Sequence, residues 1–435
     1  MWYAFIDAQR RLTRAFAGRL QDGCGPEPLA DSPWVIPGQA ANAFSHWMLR
    51  STCAFDAPPP FAIRSVPSDG GEITVEESVV ESLPAGTLRK FARNRAHPPV
   101  TSEPAGKWPV MLCAPLAGHH AVMLRETVEA LLEERDVFIT DWADARDVPP
   151  EAGTLSLDDY VLALERFICT ARRHGSPVHV VAVCQATVPA LAATALLAAL
   201  PDTPFASVSL LGGPIDTRTS PTLVDRFASS HAQGWFRHNV IDVVPAPYRG
   251  NGRRVCPGFI QQAAIIAAYP ERHLRLESAY WSHWLAGNVQ DATQALRSLN
   301  EYAAVLDMAE GYFLDIIRVV FHEHLLPRKA WSVAGRRVVT EELRHTPLCT
   351  IEGDRDDIAG AGQTHCAHAL CDASPVRPDR QLTIARCDHY DLFTGSRWRD
   401  AVHPSLRRFW REVEDAALSV ASRRAARHAN HRRRA

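Results

Sequence analysis

A mostly parallel α/β sheet with helices on both faces is the fold class that this 435-residue sequence predicts. Three observations predict it. PVMLCAPLAGHH (109–120), DVFITDW (136–142), VHVVAVC (178–184), FASVSLLGGP (205–214), PLCTIEGD (347–354) and QLTIARCDH (381–389) are short, nearly continuous apolar runs. Strands covered by helices on both faces read this way, because neither face meets water. Amphipathic helical stretches, AVMLRETVEALLEER, LDDYVLALERFICTARR and TVPALAATALLAAL, separate the first four runs, as parallel crossovers require. An interruption of about 130 residues (215–346) follows the fourth run. In doubly wound sheets such an insertion sits over the C-terminal edge, where ligands bind. It is therefore expected to form a helical cap.

Along the chain, residues 1–22 place Trp2, Phe5, Ile6, Leu12, Phe16 and Leu20 at helical spacing, an amphipathic helix. Such a helix packs on the main domain or lies on a hydrophobic surface. A Pro-rich connector ending in DAPPPF (56–61) completes an N-terminal region of residues 1–71. EITVEESVV (72–80) alternates and reads as a strand, opening a core of 72–214 and 347–421. NEYAAVLDMAEGYFLDIIRVVFHEHLL (300–326) reads as one long aromatic-rich helical stretch inside the insertion. Residues 422–435 carry six Arg and no acid, and are expected to be a disordered tail.

Composition excludes several classes. With 46% apolar and 22% charged residues and a net charge of −2, the chain reads as a globular protein. No nucleic-acid motif accompanies the basic tail, so no nucleic-acid partner is expected. Ten cysteines without a repeating spacing argue against a disulfide framework. The N-terminus lacks a secretory pattern, and no apolar run reaches the ~18–20 residues of a membrane span. A cytoplasmic setting with free thiols follows as the expectation.

The chemistry centres on VAVCQAT (181–187). A strand that turns sharply into a helix presents its turn residue as a nucleophile, and crowding demands small flanking residues. Here those are Ala182 and Ala186 around Cys184. The helix N-terminus favours a thiolate, and the Gln185 N–H points toward a developing oxyanion. EGDRDD (352–357) after the fifth run supplies an acid, and His389 follows the sixth. Nucleophile, acid and base in that order, each after its own strand, is the α/β-hydrolase arrangement. The imidazole raises the ionised fraction of the thiol and needs an acid on its other nitrogen. Asp354, Asp356 and Asp357 all qualify. Asp356 is preferred for its short G-x-x-D turn, although spacing alone leaves Asp357 open. PLAGHHA (115–121) sits where this fold supplies its second oxyanion donor, from Leu116 or Ala117. His119 and His120 beside it are expected to be structural or substrate-facing. HCAHALC (365–371) mimics a zinc cluster, but on a helix Cys366 points away from His365 and His368. No metal or cofactor is expected.

V-x-V-C-Q-x-T-V-P, P-L-x-G-H-H-A, TDW-x-DAR-x-VP, GGPID-x-R-x-SPT, GRRV-x-PGF, AVLDMA…YFLD-x-IR-x-VF, DDI-x-GAGQT and HY-x-LF occur in one order over about residues 1–412. Together they resemble the intracellular poly(3-hydroxybutyrate), or polyhydroxyalkanoate, depolymerases. The resemblance implies a cysteine esterase acting on storage polyester granules in the cytoplasm, with Cys184 as nucleophile, Asp356 as acid and His389 as base. It fails in the Arg-rich tail and departs at CQAT, where CQPT is expected, and at CDHYDLF, where glycines flank the His-Tyr pair. Aromatics of the insertion, Trp281 and Tyr312 among them, fit a cap gripping an uncharged chain. The rivals are a polyhydroxyalkanoate synthase-like acyltransferase, whose elbow resembles G-x-C-x-G, and a granule-binding protein with a vestigial site. Oligomeric state and polymer preference are not legible.

Overall fold

The structure is a computed structural model that describes residues 2–23, 47–48, 58–68, 71–94, 107–174, 177–372 and 378–432. Its centre is a nine-stranded sheet. β1 (Ser65–Ser68), β2 (Gly71–Leu83) and β3 (Gly86–Asn94) run antiparallel, each to the next. β4 (Val110–Cys113) and β5 (Val137–Trp142) are parallel neighbours, and β5 also pairs antiparallel with β3. Beyond β4 lie β6 (Val178–Val183) and β7 (Phe205–Leu211), both parallel. Three short strands, β8 (Asp242–Val243), β9 (Arg254–Cys256) and β10 (Met308–Ala309), form a separate sheet. β11 (Ser332–Val333) and β12 (Arg336–Arg337) pair as a hairpin. β13 (Leu348–Gly353) and β14 (Asp379–Ile384) complete the main sheet, whose order is β1-β2-β3-β5-β4-β6-β7-β13-β14.

All six apolar runs form strands of this sheet. Every residue of β4, β6 and β13 is buried, and one hydrophobic cluster lies on each face. Trp142, Tyr160, Phe167 and Leu191 belong to one cluster, Leu131, Trp398, Phe409 and Trp410 to the other. β1 and β3 escaped the sequence reading. In β3 the fully buried Leu88 and Phe91 are three apart, which breaks the period of two that marks a half-buried strand.

Between β7 and β13 the chain forms helices Leu223–Ser230, Gln233–Asn239, Gly258–Ala268, Pro270–Leu285, Val289–Ala303 and Glu310–Ile316. The long helical stretch expected over 300–326 is broken. Residues 304–307 are claimed by tertiary bonds: His120 N donates to Ala304 O, and Gly258 N and Tyr3 Oη donate to the Asp307 carboxylate. These bonds outweigh the local helical preference. A π-helical turn, Ile317–His322, then ends the segment.

The N-terminal helix spans Trp2–Gly23, but it docks by its polar side. Tyr3 N and Oη donate to Asp242 and Asp307, and Tyr248 Oη donates to Asp7. Trp2, Phe5, Leu12 and Phe16 remain exposed. Most of the expected Pro-rich connector lies outside the described residues. The Arg-rich stretch expected to be disordered continues the helix His403–Arg432, whose stem is anchored by buried Leu406, Phe409, Trp410 and Val413. Ala and Arg in that stretch are strong helix formers. Residues 433–435 lie outside the described residues.

Candidate active site

At the end of β6 the backbone turns abruptly. Val183 is extended, and Cys184 takes φ +54°, in the left-handed region that a residue with a Cβ enters at a cost of about 1–3 kcal/mol. A 3-10 turn, Cys184–Ala186, leads directly into the helix Thr187–Ala198. Ala182 and Ala186 are both buried, so larger side chains there would collide with the core. The thiol of Cys184 is left half-buried at the mouth of the turn.

His389 and Asp356 approach from the neighbouring strand ends. His389 Nδ1 donates to Asp356 Oδ2 at 2.8 Å, and both side chains are almost fully buried. Asp356 Oδ1 accepts from the N–H groups of Ile358 and Ala359 at 3.0 and 2.9 Å, which fixes the carboxylate. The Cys184 side chain lies close enough to the His389 ring to act on its charge. Burial disfavours the charged imidazole, yet the Asp356 carboxylate and Cys184 more than offset it and hold His389 well above its usual range. The two competing acids are occupied elsewhere. Asp354 is exposed and accepts from Cys387 N, and Asp357 is exposed and lies beside Tyr269.

Two glycines that the sequence reading quoted only as part of a motif make room for this pair. Gly212 has φ +53°, and a Cβ there would lie 2.6 Å from Leu392 Cδ1 and 3.1 Å from Asp356 Oδ2. At Gly213 a Cβ would meet Thr187 Oγ1 at 1.8 Å. The first turn after β7 therefore passes beneath both the acid–base pair and the elbow.

Around the turn after β4, Ala117 N donates to Gln185 Oε1 at 3.0 Å, so one of the two expected oxyanion donors already has a partner. Leu116 is buried beside it. The Gln185 N–H lies in the first turn after the strand, where a helix supplies no acceptor of its own. Tyr312 is not a surface residue gripping ligand: it is fully buried, and its hydroxyl donates to Gln185 Oε1 at 2.8 Å. Trp281 is tied to its own helix rather than to the Cys184 turn, with Nε1 donating to Glu277 and its ring against Tyr280 and Trp284. His119 and His120 are buried, and burial lowers them to about 3 and about 4. His119 Nε2 meets Tyr390 Oη at 3.0 Å. In the zinc-like stretch, His365 and His368 both reach Thr350 Oγ1, at 2.8 and 2.9 Å. Among the described residues no group of three or more His, Cys, Asp or Glu is placed to hold a metal, and no helix is long and apolar enough to cross a membrane. A cavity of about 740 Å³ lies behind the His389 loop, lined by Arg272, Tyr302, Asp391 and Thr394 but not by Cys184.

A parallel sheet in this strand order, with a strained turn residue at the end of β6 and an acid–base pair after β13 and β14, defines an α/β-hydrolase fold. Residues 212–414 match the family described as "PHB de-polymerase C-terminus". No curated protein matches. Similar solved structures include a thermophilic esterase from Thermogutta terrifontis, 13% identical over 78% of this chain and 99% of that one, TM-score 0.40. A 2-hydroxy-6-oxo-6-phenylhexa-2,4-dienoate hydrolase from Rhodococcus sp. strain RHA1 is 15% identical over 78% and 100%, TM-score 0.40. Carboxyl esterase 2 from Tuber melanosporum is 12% identical over 84% and 93%, TM-score 0.41.

Proposed function

We propose that this chain is a poly(3-hydroxybutyrate) depolymerase of the intracellular type, cleaving the backbone esters of amorphous storage polyester with a Cys184–His389–Asp356 triad. The observation that carries the reading is His389 bonded to Asp356 and placed beside Cys184 at a strained elbow, in a chain whose residues 212–414 match the PHB depolymerase C-terminal family. Cys184 sulfur attacks the ester carbonyl as a thiolate, and the new S–C bond pushes the carbonyl π pair onto oxygen. Backbone N–H groups of Gln185 and of the turn after β4 hold that oxyanion. As it collapses, the ester C–O bond breaks and the leaving alkoxide takes the His389 proton. His389 then removes a proton from water, which attacks the thioester; the C–S bond breaks, 3-hydroxybutyrate or an oligomer is released, and the expelled Cys184 thiolate shares that proton with His389, restoring the starting pair. Asp356 fixes the imidazole in the required tautomer. The insertion 215–346 serves as the cap over this site, and the protein works at the granule surface in the cytoplasm.

The test is release of 3-hydroxybutyrate from amorphous granules by the wild type and by Cys184→Ala. Release by the wild type alone is expected. Equal release by both would refute Cys184, and release by neither from folded protein would redirect attention to polymerisation of acyl-CoA thioesters.

A further inference from the structure

The backbone N–H groups after β4 are unequally committed. Ala114 N donates to Thr140 Oγ1 at 2.9 Å, and Pro115 has none. Ala117 N donates to Gln185 Oε1 at 3.0 Å, and Gly118 N to Gln261 Oε1 at 3.1 Å. His120 N donates to Ala304 O at 2.9 Å. Leu116 and His119 are left, and the His119 ring lies away from the elbow, between Tyr302 and Tyr390. The turn that should supply an oxyanion donor is thus stitched at three points by side chains or backbone from the elbow and the insertion.

Gln185 is the stitch that touches the nucleophile's own turn. Its Oε1 receives the Ala117 N–H and the Tyr312 O–H, the latter at 2.8 Å. Since a backbone N–H can only donate, the oxygen must face Ala117, and Tyr312 fills its second lone pair. Tyr312 is fully buried on the helix Glu310–Ile316, with its ring 4.5 Å from that of Tyr160, so the hydroxyl has a fixed origin. Gln261 is fixed as well, with Nε2 donating to Cys256 O and Leu306 O.

Resting on the ester-hydrolase reading above, we propose that Tyr312 is a positioning residue that acts through the Gln185 carboxamide. By holding the Ala117 N–H aside, it leaves the Leu116 N–H, together with that of Gln185, as the oxyanion pair. The attacking step needs this pair because a full negative charge develops on the carbonyl oxygen as the S–C bond forms. Alkylation of the same thiolate by iodoacetamide does not need it, since iodide leaves and no oxyanion arises. The two reactions therefore share the nucleophile and differ in the feature assigned here.

The experiment measures both rates on full-length protein: kcat and KM for a soluble 3-hydroxybutyrate oligomer ester, and alkylation of Cys184 by iodoacetamide. Tyr312→Phe should lower kcat by roughly 10- to 100-fold, below the ~10²–10³ seen when a donor itself is removed, with KM and alkylation within about twofold of wild type. Gln185→Leu should do the same. The double variant should be no worse than Gln185→Leu, because the two side chains act in series. Equal losses in kcat and alkylation would mean general damage to the elbow and overturn the assignment. So would unchanged kcat, or losses that multiply in the double variant, which would place the Tyr312 hydroxyl on the oxyanion directly. A wild type that is alkylated at Cys184 yet cleaves no ester would overturn the ester-hydrolase reading and this assignment together, a different signature from failure of the variants alone.

Discussion

His389 and His119 face each other across Tyr390, and the contrast between them shows what decides the charge of a buried imidazole. Both are almost fully buried, and both rings lie 5.8 Å from the Tyr390 ring. Burial pushes each toward the neutral form. His389 has a carboxylate at 2.8 Å and the thiol on its other side, so it is held well above its usual range. His119 has only a phenol at Nε2, with the Arg272 cation and the imidazoles of His120 and His389 nearby, and falls to about 3. Partner chemistry, not depth, separates an acid–base group from a packing group.

The sharpest way to break this contrast is to take the carboxylate from His389. Asp356→Asn should keep an oxygen for the Ile358 and Ala359 N–H groups but lose the anion that favours the imidazolium. In a related Ser-based arrangement the equivalent change costs ~10⁴ in turnover by favouring the wrong tautomer. A loss of roughly 10³–10⁴ in kcat is expected here. The basic limb of kcat/KM should also move to lower pH, because His389 loses its proton sooner. A pH–rate profile of the variant that superimposes on wild type would show that Asp356 does not set this histidine.

A smaller effect separates the two classes of histidine in stability. Burial lowers His119 to about 3 and His120, His179 and His403 to about 4, so the folded protein keeps them neutral while the unfolded chain protonates near 6.5. Between pH 6.5 and 4 the unfolded state therefore binds more protons at these groups, and stability falls as pH falls. Burial raises Asp144 and Asp307, which contribute in the opposite sense, but four histidines outnumber them. His389 also runs the other way: its ion pair is fully present below 6.5 and is lost as pH rises through its raised value. Thermal melting should give a lower Tm at pH 5 than at pH 7, with net proton uptake on unfolding. A flat Tm over that interval would contradict the burial of these rings.

Legibility follows the same division between local and distant causes. β6 and the small residues around Cys184 are written consecutively, so strand, turn and helix can be read from one stretch of residues. The order of strand ends also places an acid and a base after Cys184. Which acid faces His389 is not legible, because it depends on Cys387 engaging Asp354 and Tyr269 engaging Asp357. Gly212 is equally silent, since its need for no side chain arises from Leu392 and Asp356, which lie far along the chain. Tyr312 reads as an aromatic that grips ligand until the fold brings its hydroxyl to Gln185. The docking of the N-terminal helix misleads for a related reason: its apolar residues suggest the buried side, while Tyr3 and Asp7 make the contacts.

The smallest predicted effect completes the contrast from the His119 side. Tyr390→Phe removes the hydroxyl that meets His119 Nε2 at 3.0 Å and leaves a buried ring nitrogen without that partner. The cost should be about 1–3 kcal/mol of stability, the usual penalty for an unsatisfied buried polar atom. The phenyl ring keeps the edge contact with His389 and the face beneath Arg272, which lies 4.2 Å from the ring centre. Turnover should therefore stay within about threefold of wild type, the opposite pattern to Asp356→Asn. Denaturant unfolding and steady-state kinetics on the same preparation read both quantities. A Tyr390→Phe protein of unchanged stability but much reduced kcat would move Tyr390 from the packing side of the comparison to the reacting side, and would draw His119 with it.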